Sequence, residues 1–217
     1  MSEVIAENTI VRQMNQVPTD ASVRAESPLF HADLKSIAEQ GNTDAGITLQ
    51  ELALLDHLVI RGNAADASLK AGLESVAGLP LPSNLQSAEN GDTLIRWISP
   101  DEWLITTAPG AGFELEQKLR DAIDSHIAIV NVSGGQTLLN ISGKDAEEML
   151  RKTTPYDIHI SNMPVGKVVT SLFGKAQAVI RRTGEQGFEV IIRRSFADYC
   201  WLWLQDACGE FGFTVKA

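Results

Sequence analysis

One segment of this chain occurs twice. Leu58-x-Ile60-x-Gly62-x-x-Ala65-x-x-x-Leu69 returns, at identical spacing, as Leu139-x-Ile141-x-Gly143-x-x-Ala146-x-x-x-Leu150, and Asp66 and Lys70 superpose on Glu147 and Arg151. Apolar residues two apart mark a strand, the glycine lets the backbone turn sharply, and Ala and Leu four apart share one face of a following helix. A second echo pairs Phe113 to Ala122 with Phe196 to Ala207, each opening on Phe and closing on Asp-Ala. Duplicated strand-turn-helix units restrict the architecture to α+β. The intervening patterns predict two tandem ferredoxin-like βαββαβ modules with mostly antiparallel sheet, the second with an additional strand. Residues 1–26, polar and aperiodic with Pro18, read as a flexible arm, 27–132 as the first module and 133–217 as the second, the two packed as one compact unit.

Strands are expected at 57–61, 92–98, 103–107, 127–132, 137–142, 168–173, 177–182, 188–193 and 211–215, and helices at 64–76, 113–124, 144–152 and 195–208. The turn Ser99-Pro100-Asp101-Glu102 pairs Ile98 with Trp103. A hairpin tipped at Glu185 sets Arg181 across from Glu189 as a cross-strand ion pair. Val190-Ile191-Ile192 has no polar face, which predicts cover on both sides by helices or another subunit.

Few residues are arranged for chemistry. The four histidines are scattered, and only Asp157-x-His159 sets two potential ligands close together. There is no Gly-x-Ser-x-Gly, Gly-x-Gly-x-x-Gly or Walker sequence, and Ser133-Gly134-Gly135 leads into a strand, so it is a turn and not a phosphate cradle. Cys200 and Cys208 lie on one helical stretch without a CxxC and read as free, buried thiols. Asp101 and Glu102 sit in a turn and Glu147 and Glu148 on an exposed helix face, so no catalytic residue and no metal site are expected on this chain. A net charge of −10 argues against nucleic acid. No run approaches the ~20 apolar residues of a membrane span, and the opening residues do not resemble a secretory signal, so a cytoplasmic protein without a membrane partner is expected. Residues 1–126 carry 8 Lys/Arg and 19 Asp/Glu, against 10 and 9 in 127–217, which suits two faces meeting different neighbours. Trp201 and Trp203 point about 200° apart on a helix, so one of them meets something other than the core stripe.

Several motifs carry a resemblance. Val132-x-x-Gly135, Leu139-x-Ile141-x-Gly143-x-x-Ala146-x-x-x-Leu150, Asp157-Ile158, Gly166 and Thr183-Gly184-Glu185-x-Gly187-Phe188-Glu189-Val190 look like the folate-binding aminomethyltransferase superfamily. Ser27-Pro28-Leu29, Leu79-Pro80, Pro100-Asp101-Glu102-Trp103-Leu104, Asn131-Val132-Ser133, Pro164-x-Gly166 and Arg194-Ser195-Phe196-Ala197, in order across roughly residues 27 to 209, resemble the gamma subunits of heterotetrameric sarcosine oxidases. That resemblance implies a chain without a redox centre, in a complex that demethylates sarcosine to glycine and releases hydrogen peroxide with methylenetetrahydrofolate or formaldehyde. FAD, FMN and NAD would then reside on the alpha and beta subunits, zinc on delta and tetrahydrofolate on alpha, with this chain packing chiefly against alpha. Interface candidates are Trp103, Arg194, Phe196, Trp201 and Trp203.

The rival reading is a folate-dependent aminomethyltransferase-like enzyme, because Glu189 falls on that family's pterin-contacting glutamate and Glu185 on the preceding Gly-Glu. Against it, Phe173-Gly174-Lys175-Ala176-Gln177 stands where those enzymes carry an acidic residue, and Arg181 can occupy Glu189. A subunit of a related N-methyl amino acid dehydrogenase complex is the other alternative.

Overall fold

The computed structural model describes residues 25–41 and 44–216, so the expected arm lies, except for its last two residues, outside the described residues. The first helix, α1 (Leu34–Gln40), precedes β1 (Ile47–Leu52) and β2 (Asp56–Arg61). Then come α2 (Ala67–Ala77), β3 (Ser87–Asn90), β4 (Thr93–Ser99), β5 (Glu102–Thr107), α3 (Gly112–Ala122) and β6 (Ala128–Asn131). The second half carries β7 (Gln136–Ser142), α4 (Ala146–Arg151), β8 (Val168–Phe173), β9 (Ala176–Gly184), β10 (Gly187–Arg193), α5 (Ala197–Ala207) and β11 (Phe213–Val215). The strands form two sheets, ordered β3-β4-β5-β2-β6 and β11-β1-β7-β10-β9-β8. Every pair is antiparallel except β1 with β11. The fold is thus α+β with antiparallel-rich sheets, and each element expected from the pattern is present, with shifts at its ends.

Sequence reasoning missed β1, β3 and α1. The position of β1 matters most, because it precedes the first repeat yet lies in the sheet of the second, between β11 and β7. Gly143 makes this possible. Its φ is +125°, and a Cβ there would stand 2.2 Å from the Gly46 carbonyl oxygen, where the chain enters β1.

Alternation along each strand sorts its residues into layers. On the five-stranded sheet, Leu58, Ile60, Ile95, Trp103 and Ile105 face Leu69 and Leu73 of α2 and Leu119 of α3. On the six-stranded sheet, Ile141, Ile180, Val190 and Ile192 face Met149 and Leu150 of α4 and Cys200, Trp201 and Leu204 of α5. The opposite faces meet each other, with Leu104, Leu138 and Ile191 at the centre of the seam and Val59, Ile98 and Val179 around them. The layers run helices, sheet, sheet, helices. Val190-Ile191-Ile192 is therefore covered by helices on one side and by the sister sheet on the other, and no further subunit is needed to bury it.

Two hairpin expectations can be compared with the register. Arg181 does lie opposite Glu189. Ile98 does not pair with Trp103: Trp97 does, and Ile98 is an extra residue in a bulge between Trp97 and Ser99. The bulge turns Ile98 toward the seam, where its carbonyl accepts from Thr170 Oγ1 at 3.1 Å. Among the described residues no helix is long and apolar enough to cross a membrane.

Candidate functional site

The seam between the sheets holds the greatest concentration of buried charge. Arg96 enters it from β4 because it shares a face with Leu94, while Ile95 and Trp97 point to the helices. Its side chain is 1% exposed; Nη1 donates to Thr106 Oγ1 at 2.7 Å and Nη2 to Glu189 Oε2 at 2.5 Å. Burial lowers the pKa of Arg96, and its contact with Glu189 opposes that shift. Arg181 joins from β9, with Nη1 3.4 Å from Glu189 Oε2, Nε donating to Ser87 Oγ at 3.0 Å, and Nη2 paired with Glu89. Beside this cluster lies a cavity of about 480 Å³, lined by Leu52, Leu55, Leu94, Leu138, Arg96 and Glu189. The expected Arg181–Glu189 pair is present, but it is the longer of the two contacts. Sequence reasoning missed Arg96, although a lone charge inside Leu94-Ile95-Arg96-Trp97-Ile98 was a signal, since a buried charge needs a partner.

His57 faces the same seam from β2. Its Nδ1 lies 2.9 Å from the Leu55 carbonyl, and its Nε2 is buried without a partner among the described residues. Burial pushes its pKa down from 6.5 to about 4; the Leu55 hydrogen bond and Asp56 raise it, Arg96 lowers it, and burial prevails. The unfolded chain therefore takes up this proton near pH 6.5 and the folded chain only near 4. Stability is retained above pH 6.5 and falls across that window by about 3 kcal/mol. We expect His57→Leu to flatten the denaturation free energy between pH 6.5 and 4; an unchanged slope would assign the acid sensitivity to other groups.

A third buried arginine works on the helix side of the six-stranded sheet. Arg182, fully buried, donates to Glu147 Oε2 at 2.6 Å and to the carbonyls of Ile158 and Glu185, each at 2.5 Å, and lies over the Phe188 ring at 4.4 Å. It ties α4, the loop after it and the β9–β10 hairpin together. Glu147, read from sequence as a solvated helix residue, is one of its anchors. Asp157-x-His159 forms a local turn in which Asp157 Oδ1 accepts from the His159 backbone at 3.1 Å. The two cysteines are free and buried, and burial raises their thiols to about 11 and about 12.

The surface candidates divide. Trp103 is 1% exposed, with Nε1 donating to the Pro82 carbonyl at 2.9 Å, and Trp201 is 4% exposed and packs edge-on to Phe213. Both are core residues of this chain, which corrects their reading as interface anchors: alternation on β5 and the inner stripe of α5 turn them inward. Phe196 at 43%, Leu202 at 58% and Trp203 at 39% remain outward, with Tyr199 against the Trp203 ring at 5.9 Å. Phe196, Tyr199 and Leu202 fall three residues apart and Trp203 lies four beyond Tyr199, so the group forms one stripe from the turn before α5 along its solvent side. Arg194 is exposed beside it, with Nη1 3.5 Å from the Glu26 carbonyl.

Comparison with known proteins gives a consistent result. Residues 61–210 match the model of the "Sarcosine oxidase, gamma subunit family". The sarcosine oxidase subunit gamma of Corynebacterium sp. (strain P-1) is 30% identical over 209 residues, covering 95% of this chain and 97% of that one. That of an Arthrobacter species is 30% identical over 195 residues, with 88% and 93% covered. A solved chain of heterotetrameric sarcosine oxidase from Corynebacterium sp. U-96 superposes with a TM-score of 0.77 at 26% identity, covering 89% of this chain and 99% of that chain. The glycine cleavage system aminomethyltransferase T of Bartonella henselae shares the fold, with a TM-score of 0.62 at 15% identity over 87% of this chain and 58% of the other.

Proposed function

Because this chain belongs to the sarcosine oxidase gamma subunit family, we propose that it is the non-catalytic gamma subunit of a heterotetrameric sarcosine oxidase and packs chiefly against the large alpha subunit. One observation carries the non-catalytic part of this reading: Glu189, the carboxylate aligned with a pterin contact in the aminomethyltransferases, is already held by Arg96 at 2.5 Å and flanked by Arg181. Arg96 and Arg181 therefore compete with any ligand for this carboxylate. In this reading, as the family resemblance implies, flavin, nicotinamide, folate and zinc chemistry belong to the alpha, beta and delta chains, and this subunit contributes surface. The outward stripe of Phe196, Leu202 and Trp203, with Arg194 beside it, supports a docking role, because exposed aromatic residues with an arginine are the composition of interface anchors. We also read the two units as tandem ferredoxin-like modules, on the strength of the shared order β4-β5-β2-β6 and β9-β10-β7-β11, the second interrupted by β1.

Co-expression of this chain, tagged, with its alpha, beta and delta chains tests the assignment. One assembly that releases peroxide from sarcosine is the expected result; a chain that stays monomeric beside an assembled remainder would refute the subunit role. Tetrahydrofolate titrated onto the isolated chain is expected to give no saturable signal. A signal abolished by Glu189→Gln would move folate chemistry to this chain.

A further inference from the structure

Gly134 and Gly135 lack an internal reason to be glycine. Neither has a positive φ, and a Cβ added at either would meet nothing within 4 Å. Nor do they supply flexibility, because the turn Ser133–Gly135 is firmly held. Ser133 Oγ accepts from the His57 backbone at 3.0 Å and donates to Asn131 Oδ1 at 2.6 Å, and Gly135 N donates to the Val132 carbonyl at 2.9 Å. Two exposed glycines with no packing, torsional or hinge purpose leave bare backbone that something from outside can approach closely.

The surroundings indicate what approaches. The turn lies against the 3-10 turn Arg194–Phe196, whose Phe196 is exposed. Gln136, the next residue, pairs with Arg193 across β7 and β10, and both line a groove of about 240 Å³ between the two sheets. Within that groove Gln136 Oε1 is buried and has no donor among the described residues. Arg193 and Arg194 are exposed, and neither has an acidic partner among the described residues, in a chain whose net charge is −10. The face thus offers bare backbone, an aromatic anchor, two unneutralised guanidiniums and an unpaired acceptor.

We propose that this face receives an extended, acidic polypeptide segment of the partner subunit, whose main chain crosses Gly134 and Gly135, whose carboxylates meet Arg193 and Arg194, and which packs on Phe196. The proposal rests on the gamma-subunit reading and specifies the surface and the chemistry of its docking. An extended segment fits because nothing stands within 4 Å of a Cβ position on either glycine, and a backbone or amide N–H entering the groove would satisfy Gln136. Preorganisation of the turn lets such a segment bind without ordering the receptor.

The test compares assembly of the tagged wild-type chain with alpha, beta and delta against the Gly134→Val/Gly135→Val pair and the Arg193→Glu/Arg194→Glu pair. The valine pair is expected to fold normally by circular dichroism and thermal melting, since its side chains enter open space. Its affinity for the partner subunits is expected to fall at least about tenfold. The charge-reversed pair is expected to lose a similar factor at low salt, with the deficit shrinking as salt screens the interaction. Assembly of both folded variants at wild-type affinity would overturn the proposal while leaving the subunit reading intact. Failure of the wild-type chain to assemble would instead refute that reading. Should the valine pair melt early, the surface arginine pair decides alone.

Discussion

Replacing Arg182 with methionine is expected to lower stability by about 3–5 kcal/mol, because the change strands the buried carbonyl of Ile158, frees that of Glu185 and removes the buried partner of Glu147 at one stroke. For a chain of this size that corresponds to a fall in melting temperature of about 10 °C. Arg182→Lys should recover only part of the loss, since an ammonium cannot reproduce a planar fork that serves three acceptors. Acid supplies a second readout. Burial pushes the Glu147 pKa upward, but the hydrogen bond and charge of Arg182, with help from Arg151, outweigh it and hold the carboxyl below its ordinary range. This contribution is present above the unfolded carboxyl pKa and is lost as pH falls through the lower folded value, so the methionine variant should lose less stability on acidification than the wild type. Equilibrium denaturation at neutral and acidic pH measures both effects, and a neutral-pH loss under about 1 kcal/mol would mean that water replaces the guanidinium without cost.

Glu189→Leu is expected to cost about as much, through a different imbalance. It leaves Arg96 charged, fully buried and short of its closest partner. Arg96→Leu should be milder, because Glu189 retains Arg181 and some exposure to water. The two substitutions together should cost less than Glu189→Leu alone, since replacing both members of a buried pair removes the charge that either single change exposes. Additive losses in urea denaturation would show that the two side chains contribute independently to holding the sheets together.

Much of this architecture is legible in the chain. The repeated strand-turn-helix, the apolar run at 190–192 and the Arg181–Glu189 register all follow from local periodicity, which short-range sterics enforce. What periodicity cannot convey is which distant element covers a face. Ile47-Thr48-Leu49 alternates as a strand should, yet nothing in it specifies β7 and β11 as neighbours. Ile98 and Trp103 occupy symmetric places about their turn, and only the bulge displaces their pairing. Trp103 and Trp203 are the same residue type with opposite environments, because strand parity buries one and helix phase exposes the other. At the seam, the Arg96–Glu189 contact joins residues far apart in the chain and in different sheets, so each partner could be suspected alone but the pair could not.

The placement of β1 also bears on how the molecule acquires its shape during synthesis. The five-stranded sheet draws only on residues up to Asn131 and can close as soon as they emerge. Ile47 must wait for Phe213, a separation of about three quarters of the chain, so the six-stranded sheet is a high contact-order object whose first strand is made before any of its neighbours. Until β7 is made, β1 is an unpaired strand with both edges open and an uncovered apolar face, and its β11 edge stays open longer still, the kind of transient surface that invites aggregation. Refolding should accordingly be biphasic, with a fast phase for the early sheet and a slow one limited by capture of β1, and yield should depend on chain concentration in the slow phase alone.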